Sequence, residues 1–267
     1  VVSFVGWVAW EFHTPEPILE LRLFLNPRFV AVAIVTFTVG VGLYGSTYLF
    51  PLFLQRVSQL IPTDSGLLMA PAGLAMAALF PVAGYLADIT SSRRLIIVGL
   101  VLFAISNLLM TNVDTNTPVL DMLLWYVLGR VGLAWIFPSL NAAAINPLPL
   151  QLIPHGAGAV NFLRQLGGAF GINLISMSMM EQTAFYSDLA NSTQTWDNAE
   201  TMELIRLAQE QFAYIGVLGY QGFEATFAYV IQAVVSQSSM LAYRDAFWLI
   251  MMVFLVSLVP AWFIGRR

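Results

Sequence analysis

The chain has 267 residues, of which 58% are hydrophobic and only 10% are charged, and its mean hydropathy is +0.77. Soluble domains carry about 25% charged residues, so this composition predicts an integral membrane protein. Cysteine is absent, which excludes disulfides, thiolate metal sites and cysteine nucleophiles. The formal net charge of −4 is spread over the chain without a basic run, and nucleic acid is therefore not expected as a partner.

The first 28 residues are not expected to form a complete crossing. The stretch VVSFVGWVAW is typical of the end of an apolar helix, and the prolines and charges that follow it indicate a connector outside the membrane. We therefore expect 1–28 to be the end of a linker transmembrane helix and a cytoplasmic connector, in a chain whose upstream part is missing.

Apolar intervals with few or no charged residues predict the membrane helices, because about 20 helical residues cross a hydrocarbon core of about 30 Å. Five such intervals fall in 29–182 and a sixth in 244–267. They lie between Arg28 and Arg56, Asp64 and Asp88, Arg94 and Asp114, Pro118 and Ile145, His155 and Met180, and Asp245 and Arg266. The predicted fold is an all-α, polytopic membrane bundle of six complete crossings that follow the end of another.

Small residues recur at helical spacing in two of these crossings. Small side chains let membrane helices approach closely, so these positions predict packing faces. The predicted packing residues are Gly66, Ala70, Gly73 and Ala77 in the second crossing, and Gly167, Gly168 and Gly171 in the fifth.

The segment 183–243 is predicted to be an extracytoplasmic loop that contains a helical hairpin. Its first part is too polar for lipid, whereas 212–235 is apolar enough to cross. The glycines at 216, 219 and 222 suit a turn better than a crossing. A loop also leaves six arginines inside and three outside, against five and four if 212–235 crosses, and the positive-inside rule prefers the former. This topology places the end of the chain in the cytoplasm.

Two arginines lie at membrane depth. Arg164 shares one side of its helix with Asn161 and Gln165, where it either serves transport or snorkels to the inner interface. Arg130 has no acidic partner within helical reach. It is either a proton-relay or substrate-orienting charge whose partner lies outside this chain, or a bundle-facing arginine bonded to backbone carbonyls.

Aromatic and amide side chains are the other candidates for a substrate pathway. Tyr44, Tyr48, Trp135, Phe137 and Asn141 have the chemistry of a cavity for flat lipophilic cations or neutral compounds. Aromatic side chains in membrane helices also face lipid or pack against neighbours, and both interpretations stay open for each of these residues.

The stretch GYLADITSSRR contains the most specific local pattern, with Gly84 and Asp88 before a short loop and Arg93 and Arg94 after it. A carboxylate that pairs with an arginine at the membrane edge can latch one conformation and release it in another. Alternatively, the two arginines only hold the loop in the cytoplasm.

This pattern resembles the cytoplasmic loop motif of the major facilitator superfamily. Four further stretches resemble its 14-helix drug:proton antiporters of the EmrB/QacA type, namely ILELRLFLNPRF, SGLLMAPAG, NFLRQLGGAFG and LAYRDAF. The resemblance covers essentially the whole chain and implies the C-terminal half of such a fold. The superfamily loop has arginine and glycine where this chain has Ile89 and Ser91, which implies a weaker latch.

The resemblance implies a proton-coupled multidrug or lipophilic-compound efflux transporter of the inner membrane that works by alternating access and is not an enzyme. Its energy source would be the proton gradient, with no cofactor or metal. Expected partners are membrane lipid, the missing N-terminal half and a lipophilic small-molecule substrate, and the resemblance allows a periplasmic adaptor protein. The alternatives are a metabolite facilitator or symporter of the same fold, and a truncated membrane module that transports nothing.

Overall fold

The computed structural model describes residues 20–114, 117–193 and 198–265, and within these ranges it contains helices and no strand. A short 3-10 helix, Leu21–Leu25, precedes the first α-helix, and another, Leu150–Leu152, precedes the fifth. The α-helices are α1 (Pro27–Arg56), α2 (Pro62–Ile89), α3 (Ser92–Met110), α4 (Val119–Ile145), α5 (Ile153–Thr193), α6 (Ala199–Tyr214) and α7 (Gly219–Phe263). The all-α fold class is confirmed.

The helix limits follow local signals in the sequence. α1 begins at Pro27 because the Asn26 side chain accepts a hydrogen bond of 3.0 Å from the backbone N–H of Arg28, and proline suits the first helical position. The turn between α6 and α7 contains Gly216 and Gly219, whose φ angles of +85° and +64° favour glycine. This turn lies where the glycine cluster predicts one.

The helices pack as a bundle around α1. α1 lies against α5 and α7, α3 pairs with α4 and contacts α7, and α2 rests on α4. Aromatic rings join α7 to its neighbours: Phe53 of α1 meets Tyr243 edge to face at 5.4 Å, and Phe103 of α3 stacks on Phe254 at 4.2 Å. The core is therefore apolar and aromatic over much of the length of α7.

Two helices extend past the predicted boundaries of the outer loop. α5 continues beyond residue 182 to Thr193, and α7 passes through the boundary at 243 without a break. Between Gly222 and Pro260 no glycine or proline interrupts α7, so nothing stops a helix that has started at the turn. At 45 residues, α7 is about 67 Å long, roughly twice the hydrocarbon thickness. The position of the α6–α7 hairpin outside the membrane stays a prediction.

Five described helices are long and apolar enough to cross a membrane: α1, α2, α3, α4 and α7. The fifth predicted crossing, in α5, is not among them by length and composition, since its polar residues Asn161, Arg164 and Gln165 lower the hydropathy of that segment. α5 nevertheless packs along α1 and α7, both of which are long enough to cross. It therefore belongs to the same bundle.

The predicted packing face of α2 meets no other helix within the described part of the chain, so its packing role stays a prediction. Gly66, Ala70, Gly73 and Ala77 are exposed, and a Cβ added at Gly66 or Gly73 would meet no described atom within 4 Å. α2 instead buries another set of small residues against the bundle, namely Ser65, Ala72, Ala83 and Ala87. Small residues occur on several sides of α2, so their spacing alone does not define which side packs.

A polar contact joins α5 to α7 beyond the predicted end of the fifth crossing. The Tyr186 hydroxyl donates to a carboxylate oxygen of Asp245 over 2.7 Å, and the adjacent Arg244 donates to the backbone carbonyl of Thr111 over 2.5 Å. The hydrogen bond to Asp245, together with burial, raises the pKa of Tyr186 above its ordinary value. This pair ties the extension of α5 to the middle of α7.

Tyr186→Phe is expected to lower the free energy of unfolding by about 1.5–3 kcal/mol, the usual net value of a hydrogen bond to a charged group. Because the folded-state pKa is raised, the contribution is present below the unfolded tyrosine pKa of about 10 and is lost as pH rises through the folded value. Thermal unfolding of the detergent-solubilised full-length protein at pH 7 and pH 11 measures this. Tyr229→Phe, at a half-exposed ring on α7, is the matched control, and equal shifts in both variants would contradict the assignment.

Candidate functional site

Arg130 is buried inside the bundle, with only 7% of its surface exposed. Its guanidinium donates to the Thr47 hydroxyl on α1 over 2.9 Å and to the Tyr126 hydroxyl one turn earlier on α4. It also lies over the Tyr126 ring at 4.5 Å, and this ring stacks on Phe50 at 4.1 Å. The described partners are hydroxyl groups and not the backbone carbonyls that one interpretation of the sequence expects. A further partner outside this chain stays a prediction.

A small cavity beside Arg130 has a volume of about 10 Å³ and a partly polar lining. Ser106 and Asn107 line it, and they donate to the carbonyls of Trp125 over 2.6 Å and Phe103 over 2.8 Å. A space of this size holds about one water molecule. Hydroxyl, amide and guanidinium groups thus share the interior of α1, α3 and α4.

α1 and α5 approach each other backbone to backbone through glycine. A Cβ added at Gly167 would overlap the carbonyl oxygen of Phe37, and one at Gly40 would overlap the carbonyl oxygen of Arg164. At Gly171 the added atom would lie 2.7 Å from the Cα of Val41. Gly168 lies under the ring of Tyr44. The structure therefore places all three glycines predicted on α5 against α1.

Arg164 lies beside this seam on the face of α5 that turns towards α4. Its guanidinium donates to the Asn161 side chain one turn earlier and lies over the Phe137 ring at 5.2 Å. Arg164 is half-buried, whereas Asn161 and Gln165 are exposed on the surface of the bundle. The structure thus brings Arg164, Asn161 and Phe137 together.

The remaining predicted pathway residues have mixed positions. Tyr44 is 37% exposed and Asn141 is exposed, while Tyr48 and Trp135 are half-buried. Phe137 is buried and stacks on Phe80 of α2 at 6.4 Å. Tyr44, Phe137, Asn161, Arg164 and Gln165 define what we call the polar face of the bundle, which α1, α4 and α5 supply together.

The predicted latch lies at the α2–α3 loop. Asp88 is exposed near the end of α2, Gly84 is half-buried one turn earlier, and Arg94 is exposed at the start of α3. The guanidinium of Arg93 lies over the Trp262 ring of α7 at 3.8 Å. This contact ties the beginning of α3 to the end of α7, and the role of these residues as a conformational latch stays a prediction.

The sequence analysis missed Thr47 and Tyr126 as partners of Arg130. Tyr126 lies four residues before Arg130, so helical spacing is a signal that places both on one face. Thr47 is 83 positions away, and no local pattern connects it to Arg130. Long-range partners of this kind depend on how α1 and α4 pack.

Several apolar helices long enough to cross a membrane, packed around buried polar groups, define a multi-pass membrane protein. Residues 7–172, more than half of the chain, match the family model of the Major Facilitator Superfamily. The chain belongs to this family.

Individual relatives agree with this assignment. The MFS-type transporter YhcA of Bacillus subtilis is 29% identical over 73% of this chain and 37% of its own length. The colistin resistance protein EmrB of Acinetobacter baumannii is 28% identical over 83% of this chain and 43% of its own. The multidrug export protein EmrB of Haemophilus influenzae is 25% identical over 98% and 50%. The chain thus spans about half the length of these relatives or less, and the relatives named EmrB confirm the resemblance that the motifs indicate.

Proposed function

We propose that this chain supplies one half-bundle of a secondary active transporter that exports lipophilic compounds in exchange for protons. The relatives named for multidrug export and colistin resistance support export as the direction of transport. Alternating access around a central site is the mechanism general to such folds. The proton gradient supplies the energy, without a resident cofactor or enzymatic step.

The polar face of the bundle is the observation that carries this proposal. Asn161 and Gln165 are exposed on a helix that packs along two helices long enough to cross a membrane. Amides and a guanidinium that face hydrocarbon would lose their hydrogen bonds to water. The cost would be roughly several kcal/mol for each group. A water-filled or substrate-filled path against this face removes that cost.

The membrane location and the partners of the chain follow from the same proposal. The inner membrane is the site of action, with the end of the chain in the cytoplasm, and the other half of the transporter covers the polar face. Lipid surrounds the apolar faces of the helices. A periplasmic adaptor protein is the partner that would carry an exported compound onward.

Arg164→Gln in the full-length protein is expected to lower the initial rate of pH-driven export of a lipophilic dye about tenfold, an increase of roughly 1.4 kcal/mol in the barrier. The substitution keeps an amide donor for Asn161 and removes the charge over Phe137. The measurement is dye release from proteoliposomes after a pH jump. Arg22→Gln, at a side chain that is 81% exposed, is the matched control and is expected to export normally.

Two outcomes would contradict different parts of the proposal. If Arg164→Gln exports at the wild-type rate, Arg164 has no role in transport. If the wild-type protein itself moves no lipophilic dye under any pH gradient, while a polar metabolite equilibrates across the same membrane, proton-coupled export of lipophilic compounds is the wrong function.

A further inference from the structure

A second cavity, of about 440 Å³, lies between α1, α5 and α7 where α1 ends. Residues of α1 between Tyr48 and Arg56 line one side of it, and residues of α5 between Ser176 and Ser187 line another. The centre of this stretch of α5 lies about 17 residues beyond Arg164, or about 26 Å along the helix. The cavity is therefore distant from Arg164, although Tyr48 in its wall lies one turn from Tyr44 of the polar face. Its volume is within the range of sites for drug-sized ligands, about 300–1,000 Å³.

One wall of the cavity is apolar and adaptable. Leu52 of α1 faces Met179 and Met180 of α5, and Met180 is 74% exposed, so it stands at the opening. Methionine side chains are flexible and polarizable and fit apolar ligands of different shapes. This wall can therefore contact an acyl chain or another apolar group, with little selectivity for its shape.

Hydroxyl groups line the rest of the cavity. Tyr243 of α7 is almost fully buried, with its ring against Phe53, and Ser176, Thr183 and Ser187 lie along α5. Hydroxyl groups donate hydrogen bonds as well as accept them. An anionic oxygen atom in the cavity could therefore accept hydrogen bonds from neutral hydroxyl groups, in addition to pairing with a cation.

Among the residues that the structure describes, Arg56 is the one charged residue that lines the cavity. Its side chain is exposed at the end of α1, and among the described residues its guanidinium has no ion pair or hydrogen bond. The carboxylate of Asp245 is close in sequence to Tyr243, but it does not line the cavity and it accepts from Tyr186. The charge that a ligand meets here is positive.

From these features we infer that the cavity binds an amphiphilic organic anion. Its carboxylate or phosphate pairs with Arg56, whose planar fork matches such groups, and its apolar body lies between Leu52 and the two methionines. A lipophilic cation is disfavoured, because Arg56 repels it and no carboxylate lines the cavity. Anionic membrane lipid and a free amphiphile share this chemistry, and both can enter from the side where Met180 is exposed.

Binding of dansyl-undecanoate, a fluorescent fatty acid, to the full-length protein in phosphatidylcholine nanodiscs tests the inference. Arg56→Gln is expected to raise its Kd about tenfold or more, since a charge-assisted bond is lost. Arg56→Lys, which keeps the charge but loses the planar fork, is expected to raise the Kd less than Arg56→Gln does. Ala184→Trp, which fills the cavity, is expected to weaken binding as much as Arg56→Gln. Arg22→Gln is the control that keeps wild-type binding, and circular dichroism confirms that each variant is folded.

The same probe with a trimethylammonium group in place of the carboxylate is expected to bind at least about tenfold more weakly. Equal binding of the two probes, an unchanged Kd in folded Arg56→Gln, or no binding to the wild-type protein would each overturn the inference. Phosphatidylglycerol added to the nanodiscs then identifies the source of the ligand. Arg56-dependent competition by this lipid supports an annular lipid as the occupant, and carboxylate binding that the lipid does not displace supports a free amphiphile.

Discussion

Gly167→Ala is expected to prevent stable assembly of the bundle, although it adds only one methyl group. The new Cβ would overlap the carbonyl oxygen of Phe37, and both groups are parts of helix backbones that cannot rotate away. This overlap can be relieved only if α1 and α5 move apart along the whole seam. The close contacts at Gly40 and Gly171 would then also be lost. Overpacking of a close-packed interior costs about 1–3 kcal/mol where side chains can adapt. With two backbones in contact we expect about 3 kcal/mol or more.

The measurement is the yield and thermal unfolding of the full-length protein in detergent. Gly158→Ala is the matched control in the same helix, because an added Cβ there meets no described atom within 4 Å. This control is expected to be neutral or to stabilise the helix by about 0.5–1 kcal/mol, the difference between glycine and alanine in a helix interior. If the two variants unfold at the same temperature, the α1–α5 seam is wider than the structure shows.

The sequence predicts this seam because two independent signals agree. Gly167, Gly168 and Gly171 recur at helical spacing, and the polar residues beside them exclude that side from lipid. In α2 the same type of pattern does not identify the face that packs on the described bundle, because Ala72 and Ala83 are nearly as small as Gly66 and Gly73. Only the packing of α2 on α4 decides between them.

Helix limits were predictable where a breaker or a charge is present. Asn26 and Pro27 begin α1, and Gly216 and Gly219 turn the chain between α6 and α7. The continuity of α7 was also predictable, because no glycine or proline lies between Gly222 and Pro260. The prediction of a separate final helix relied on the charges of Arg244 and Asp245, which in the structure bond to Thr111 and Tyr186 while the helix continues.

Arg130→Met is expected to reduce pH-driven export by the full-length protein to background, at least about a hundredfold or roughly 2.7 kcal/mol. A buried guanidinium whose described partners are neutral hydroxyls remains charged in a medium of low dielectric, where such a charge is costly to keep. It also leaves donors available towards the small cavity. We therefore expect this charge to serve transport more than stability, so that its loss lowers the rate of export first.

If Arg130 has only a structural role, a different result is expected, and a second variant distinguishes the two roles. Arg130→Met leaves the Tyr126 hydroxyl without its donor, at a cost of about 1–3 kcal/mol, whereas Thr47 still donates to the carbonyl of Leu43 over 2.6 Å. Adding Tyr126→Phe removes the orphaned hydroxyl, so the double variant should recover most of the lost stability. Export from the double variant in proteoliposomes should stay at background. If export returns together with stability, Arg130 only satisfies the Tyr126 hydroxyl, and export does not depend on a charge at this position.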